Sequence, residues 1–301
     1  MSLIRFGASP EDAGRALVLA AGLLQGPSTD ASPDRPLRAL YGVCGVGLFA
    51  EQGRAWPTIF VDAPDMQGTL VAIGASDFPR VNEIIRLVFP QGPSWLTDNL
   101  KVVHVAPCAK HADTGDKIIA GTGGRLGALV RWGTSLGYLT AGHVGQRVGN
   151  TVVDAAGGSI GSVVYANDPQ PNQHATADID IALVKCDPTV LAGNIGSIRM
   201  VGTAKSNDRV IVQYVPPITT IVAYCKWFVA TTSGVTFADV YLSSNGITGN
   251  GDSGAPVVLA GNSQSVIGHV VAGGRNTSCF QDVKPQMARV RSDPQFAALT
   301  I

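Results

Sequence analysis

Three residue types in this chain could together carry out acyl transfer. Ser253 stands in Gly249-Asn250-Gly251-Asp252-Ser253-Gly254-Ala255-Pro256, ahead of an apolar run from Val257 to Ala260. Glycines around a serine permit a tight loop and a close approach to the backbone. Such a loop can turn the N–H groups of Gly251 and Ser253 toward one point, where a developing oxyanion would sit. A serine hydroxyl is a weak nucleophile until a base accepts its proton, and that base needs a third group to hold it. Upstream, Leu139-Thr140-Ala141-Gly142-His143-Val144 offers a histidine, and Asp178-Ile179-Asp180-Ile181-Ala182-Leu183-Val184 offers two aspartates. On a strand, residues two apart share a face, so Asp178 and Asp180 compete for the same role.

The three stretches, in the order His, Asp, Ser, resemble the catalytic signatures of the trypsin/chymotrypsin-like serine peptidases. That family reads Thr-Ala-(Ala/Gly)-His around the base, Asp-Ile-Ala-Leu around the acid and Gly-Asp-Ser-Gly-Gly-Pro around the nucleophile. The resemblance spans about residues 115 to 300 and departs at Ala255, where a glycine is usual. It implies a chymotrypsin-like double β-barrel and a triad of His143, Asp180 and Ser253. The Ile-Ala-Leu run after Asp180 is what favours it over Asp178. It implies an oxyanion hole from Gly251 and Ser253, a protein or peptide substrate, and no metal or cofactor.

Further roles follow from the same resemblance. Asp252 would pair with a cation, often a freed N-terminal amine, although an acid there could equally cap local backbone N–H groups. Lys117-Ile118-Ile119-Ala120-Gly121 resembles a zymogen cleavage site, but Ile118 lies only 25 residues before His143, closer than is usual. The primary pocket would have Ile247 and Thr248 at its base and Val271, Ala272 and Gly273 in its wall. Isoleucine cannot pair with a basic side chain, and an unpaired buried cation is costly. The expected preference is therefore an uncharged, small or medium apolar residue before the scissile bond. His269 would serve a glutamate-specific pocket only if a bulge turned it to the other face of its strand.

The scaffold that must position these residues is read from composition and patterning. The chain has 301 residues, 36 glycines, 15% charged residues and a formal net charge of zero. Length beyond one ordinary domain, with short Val/Ile/Thr runs, points to a mainly β protein of two parts. Zero net charge with no basic block gives nucleic acid no electrostatic foothold. The longest apolar run, residues 16 to 24, is too short to span a membrane. Ser9-Pro10-Glu11-Asp12 reads as a helix start, so residues 10 to 24 are expected to be an amphipathic helix and not a signal peptide. Five scattered cysteines, with Val144 and Gly249 where secreted relatives carry Cys, suggest a reducing, cytoplasmic setting. Cys108, His111 and nearby His104 lack the second ligand pair a zinc site needs.

Three segments are expected. Residues 1–105 form an α+β leader or regulatory domain, with strands near 41–50, 58–62, 69–73 and 100–105 and a helix at 80–89. Its Gly-Val-Gly and Pro-Gln-Gly faintly resemble leader domains fused to some bacterial trypsin-like peptidases, which suggests regulation of the enzyme by its own N-terminal part. Residues 106–124 are a linker. Residues 125–301 are the peptidase domain, with barrels over about 125–190 and 200–301, a last strand at 286–290 and a short helix capped near Ser292-Asp293-Pro294. The competing reading is a catalytically inactive binding module of the same fold. An α/β-hydrolase is excluded by chain order, since its sequence runs Ser, acid, His.

Overall fold

The computed structural model describes residues 123–301 apart from 155, 171–177, 188–199, 214–218, 231–234 and 275–276, together with strand residues 5–6, 43–51, 54–62, 71–74, 101–105 and 118–119. The helices expected at 10–24 and 80–89, Cys108, His111, His174 and most of the 106–124 bridge lie outside the described residues.

The early strands are β1 (Arg5–Phe6), β2 (Val43–Glu51), β3 (Arg54–Asp62), β4 (Val71–Gly74) and β5 (Lys101–Val105). Six follow in one sheet: β6 (Ile118–Ile119), β7 (Leu129–Trp132), β8 (Ser135–Thr140), β9 (Thr151–Asp154), β10 (Ser159–Asn167) and β11 (Ile181–Cys186). After β12 (Met200–Val201) come β13 (Arg209–Val212), β14 (Thr219–Ala230), β15 (Val235–Ser243), β16 (Pro256–Leu259), β17 (Asn262–Gly273) and β18 (Ser278–Asp282).

The spatial order of the first six is β6-β9-β10-β11-β8-β7, and that of the last six is β13-β16-β17-β18-β15-β14. Numbered within each set, both read 1-4-5-6-3-2. One topology is thus used twice, and β13–β14 pairing closes the second copy into a barrel. The chain is mainly β with the chymotrypsin-like arrangement of two such sheets. Sequence alone displayed no repeat because the duplication lies in strand order, which many apolar alternations can satisfy.

Alternation explains the cores. Tyr138, Val152, Ile160, Val163, Ala182 and Val184 fill the first sheet, while Val210, Val257, Ile267, Val270 and Phe280 fill the second. Between them lies a third apolar layer in which Ala128, Val130, Leu139, Ile181 and Leu183 meet Val258 and Val266. The C-terminal tail seals this layer: Phe296 stands edge-on to Trp132 and Tyr165, with ring centroids 5.8 and 6.1 Å away.

That tail corrects one expectation. Residues 286–290 are not a strand but part of a helix, Val283–Arg291. Val283, Met287 and Val290 recur at helical spacing, and Asp282 caps the first turn by accepting from the Lys284 N–H. The expected capped turn after it is a 3-10 helix, Pro294–Phe296, with Asp293 accepting from Gln295 N–H.

The long β14–β15 hairpin extends the second sheet. β14 pairs with β2 as well as β13, and β3, β5 and β4 continue outward from β2. Phe60 and Val103 are buried with Cys225, Phe228 and Phe237 of the hairpin and with Val271 and Ala272 of β17.

Candidate active site

His143 rides on a single helical turn, α1 (Gly142–Gly145), immediately after β8. The turn forms because Ala141 O accepts from both Val144 and Gly145 N–H. Position 142 must be glycine: a Cβ there would collide with the Asn167 backbone carbonyl and lie 2.8 Å from Asp180 Oδ1. The close approach lets the carboxylate hold the histidine twice. Asp180 Oδ1 accepts from His143 backbone N–H at 2.9 Å, and Oδ2 meets ring Nδ1 at 2.6 Å. A carboxylate only accepts, so Nδ1 carries the hydrogen and Nε2 keeps the lone pair.

Asp178 does not share this role. Its carboxylate accepts from the Ile179 N–H at 2.7 Å, and its backbone pairs with β15 through Thr236 and Ala238. The expectation of two carboxylates on one face fails because the strand starts only at Ile181.

The serine loop meets the histidine segment through its backbone. Arg125 N–H donates to Ser253 O at 2.7 Å, and Thr140 hydroxyl donates to Arg125 O at 2.8 Å. Gly254 adopts φ +88° and packs against Arg125 O, Thr140 Oγ1 and Ala141 N, leaving no room for a side chain. Gly251, one of the two expected oxyanion donors, also turns with positive φ, +81°. Gly254 N–H and Val270 N–H exchange bonds with Val270 O and Ala255 O, fastening the loop to β17. His143 is 4% exposed, and Asp180 and Ser253 are fully buried, so the centre is closed to bulk water in this state.

Both readings of Asp252 hold at once. Oδ1 pairs with Arg125 Nε at 2.8 Å, and Oδ2 accepts from Gly249 N–H at 3.0 Å. Ile118 is already paired in β6, opposite Asp154. In the uncut chain Asp252 thus already has a cation, Arg125.

His269 resolves away from the pocket. It is fully buried; Nε2 accepts from Ala128 N–H at 3.1 Å and Nδ1 bonds Gln286 Oε1 at 2.7 Å. Burial pulls its pKa down to about 4, with the Gln286 bond opposing, so the ring is neutral at pH 7. β17 carries register shifts on both sides of His269, between Val266 and Gly268 and between Val270 and Ala272, and the ring between them is taken up by Ala128 and Gln286.

Of the expected pocket residues, Ile247 packs in the core of the second barrel, while Val271 and Ala272 join the hairpin core. Gly273 is paired with Ser278. Ser278 Oγ accepts from the N–H groups of Ile247 and Thr248, each at 3.0 Å, and lies 2.7 Å from Thr248 Oγ1. Sequence reasoning missed Arg125, Ser278, Gln281 and Gln286. Each acts across a long sequence separation, and none stands in a motif.

No protein-family model matches the chain, and no curated protein matches it. Among solved structures it resembles Thermobifida fusca protease A at 18% identity, covering 58% of this chain and 94% of that one with a TM-score of 0.43. It also resembles a Nocardiopsis protease at 18% identity (58% and 94% covered, TM-score 0.44) and a Cellulomonas bogoriensis chymotrypsin at 18% (58% and 93%, TM-score 0.44).

Two outcomes are expected. Arg125→Ala strands a largely buried carboxylate and should destabilise the protein by roughly 3 kcal/mol in urea unfolding, with Arg125→Lys intermediate. An Arg125→Ala midpoint equal to wild type would show that the pair does not order the loop. For His269 the folded pKa lies below the unfolded value near 6.5, so the unfolded state binds the extra proton between the two. Stability should therefore be complete above about pH 6.5 and fall as pH drops toward about 4, by a total of about 3 kcal/mol. The measurement is the difference in pH dependence between wild type and His269→Asn, which removes the titration; identical profiles would contradict it.

Proposed function

We propose that this chain is a serine endopeptidase, trypsin-like in its catalytic groups, that cleaves peptide bonds through an acyl-enzyme on Ser253. The observation carrying this reading is the double hold of Asp180 on His143, beside a glycine-bounded serine whose loop is tied through Arg125 to Thr140, just before the histidine turn. Asp180 fixes the Nδ1–H tautomer and stabilises the imidazolium as it forms. His143 Nε2 takes the Ser253 proton while Oγ attacks the scissile carbonyl. The N–H groups of Gly251 and Ser253 receive the negative charge of the tetrahedral intermediate. His143 then gives its proton to the leaving amine, and water attacks the acyl-enzyme by the same route in reverse.

The pocket reading is preference for an uncharged, small or medium apolar residue before the scissile bond. Thr248 and Ser278 offer only hydroxyls, and the wall expected at 271–273 would present backbone, since Val271 and Ala272 turn their side chains into the hairpin core. A charged side chain buried against them would lack a partner. The alternative, a catalytically inactive binding module of the same fold, draws its support from the closure over Ser253.

A small fluorophosphonate needs far less opening than a peptide, so it tests the nucleophile apart from substrate access. Wild type should be labelled on Ser253. Ser253→Ala and His143→Ala should lower turnover on the order of 10⁶-fold with the fold retained, and Asp180→Asn about 10⁴-fold. Labelling that survives in His143→Ala at the wild-type rate would favour the binding-module reading. On a diverse peptide library the cuts should follow small or medium apolar residues. A profile dominated by Arg or Lys would sink the pocket reading, and one dominated by Glu would require His269 to leave Ala128 and Gln286.

A further inference from the structure

We infer that Gln281 and Gln286 are positioning residues for the His143–Asp180 pair, gripping the Asp180 peptide from the second sheet and so aiming its carboxylate. The inference concerns how the acid is held, and its catalytic consequence rests on the peptidase reading above.

Residues 178–180 carry the chain toward β11, and the Asp180 peptide lies outside that strand's ladder. Buried backbone groups without partners are costly, so something else must satisfy them. Gln281 Oε1 accepts from Asp180 N–H at 2.7 Å, and its Nε2 donates to Asp178 O and Ala238 O at 2.9 and 2.8 Å. Gln286 Nε2 donates to Asp180 O at 3.0 Å. Both backbone groups of the acid are thus taken by side-chain amides, and both glutamines are fully buried.

The direction of every bond is dictated by groups that cannot reverse. Ala128 N–H can only donate, so His269 Nε2 must accept and its hydrogen sits on Nδ1. That hydrogen requires Gln286 Oε1 to face the ring, which turns Nε2 toward Asp180. Asp180 O can only accept, and the chain closes without a clash. The Asp180 N–H sets the orientation of Gln281 in the same way.

Strand register supplies the two anchors. His269 on β17 is paired with Gln281 on β18, and the next pair is Val270 with Phe280. Val270 and Phe280 point into the second barrel's core, so His269 and Gln281 point out of it, toward the first sheet. Gln286 arrives from the first turns of the C-terminal helix. Rotating the Asp180 peptide would swing its Cα–Cβ bond and with it the carboxylate bonded to His143. The glutamines bond the acid's backbone and other groups away from the His143 ring; their effect on it passes through Asp180.

The test uses the full chain with Gln281→Met and Gln286→Met, which keep length and volume and delete the amide. The first readout is the downfield proton resonance of His143 Nδ1–H, together with the ring's titration midpoint, in histidine-labelled protein. The second is the rate of Ser253 labelling by a fluorophosphonate. Val210→Ala, a core change in the second barrel, serves as a control for lost stability alone. Expected is loss or broadening of the Nδ1–H resonance and a shifted titration midpoint in both methionine variants, with labelling slowed roughly 10- to 100-fold. The control should leave the resonance and midpoint in place.

Folded methionine variants with a wild-type resonance and midpoint would overturn the inference. If Gln286→Met does not fold, Gln286→Glu carries the test. Its carboxyl can replace the amide's donor and acceptor only when protonated, so the resonance should be present at low pH and lost as the group ionises. A resonance indifferent to that change would also overturn it. The two proposals fail separately: wild type unlabelled by the probe, with the resonance still answering to the glutamines, would end the peptidase reading and leave the positioning intact.

Discussion

A carboxylate with no contact with water is the constraint around which this structure is arranged. Burying an isolated charge is prohibitive, so Asp180 can be ionised only where donors converge on it. His143 supplies two, its backbone N–H and its ring Nδ1–H. Glycine at 142 is what lets them approach, because any side chain there would strike the Asn167 carbonyl. Asn167 is itself fixed, its side-chain Nδ2 donating to Ile179 O at 2.5 Å and its Oδ1 accepting from Arg289. The helix turn bearing the histidine, the end of β10 and the start of β11 are thus settled by the need to house one charge.

The two sheets divide the labour. The first carries the histidine and the acid on the segments at the ends of β8 and β11; the second carries the serine on the loop before β16. Rigid sheets with chemistry on their connections are a common solution, since loops tolerate special backbone angles that strands do not. The difficulty is alignment across the gap. An apolar layer built from Leu139, Leu183, Val258 and Val266 presses the sheets together without direction. Direction comes from polar contacts: Arg125 on one side, binding the Ser253 loop and Asp252, and the two glutamines on the other.

Much of this was legible in the sequence, and the boundary is physical. Strands such as Val43–Glu51 and Lys101–Val105 stand close to the expected 41–50 and 100–105. The histidine, the acid and the serine were singled out because each sits in a local pattern of small residues or apolar runs. Gln286 was misread because Gln-Met-Ala-Arg-Val is too short a window to show a period; the helical spacing emerges only once Val283 and the Asp282 cap are included with Met287 and Val290. Arg125 had no local signal: its partners lie 15, 127 and 128 residues away, at Thr140, Asp252 and Ser253. Ile247 was assigned to the pocket floor by position relative to the serine, yet its side chain turns into the barrel core with Val257 and Phe280. Spacing locates a backbone; which way a side chain turns depends on neighbours that spacing does not name.

The same alternation that packs the second barrel also sets the acid of the first. On β17 and β18 the inward pair, Val270 and Phe280, and the outward pair, His269 and Gln281, are adjacent rungs of one ladder. A slip of one residue would drive a histidine and a glutamine into the apolar core and turn a phenylalanine toward Asp180. Both errors are penalised together, one as unsatisfied buried polar groups and the other as lost apolar burial. The register that gives the barrel its core is therefore the one that holds the Asp180 peptide, and stability of the second sheet protects geometry in the first.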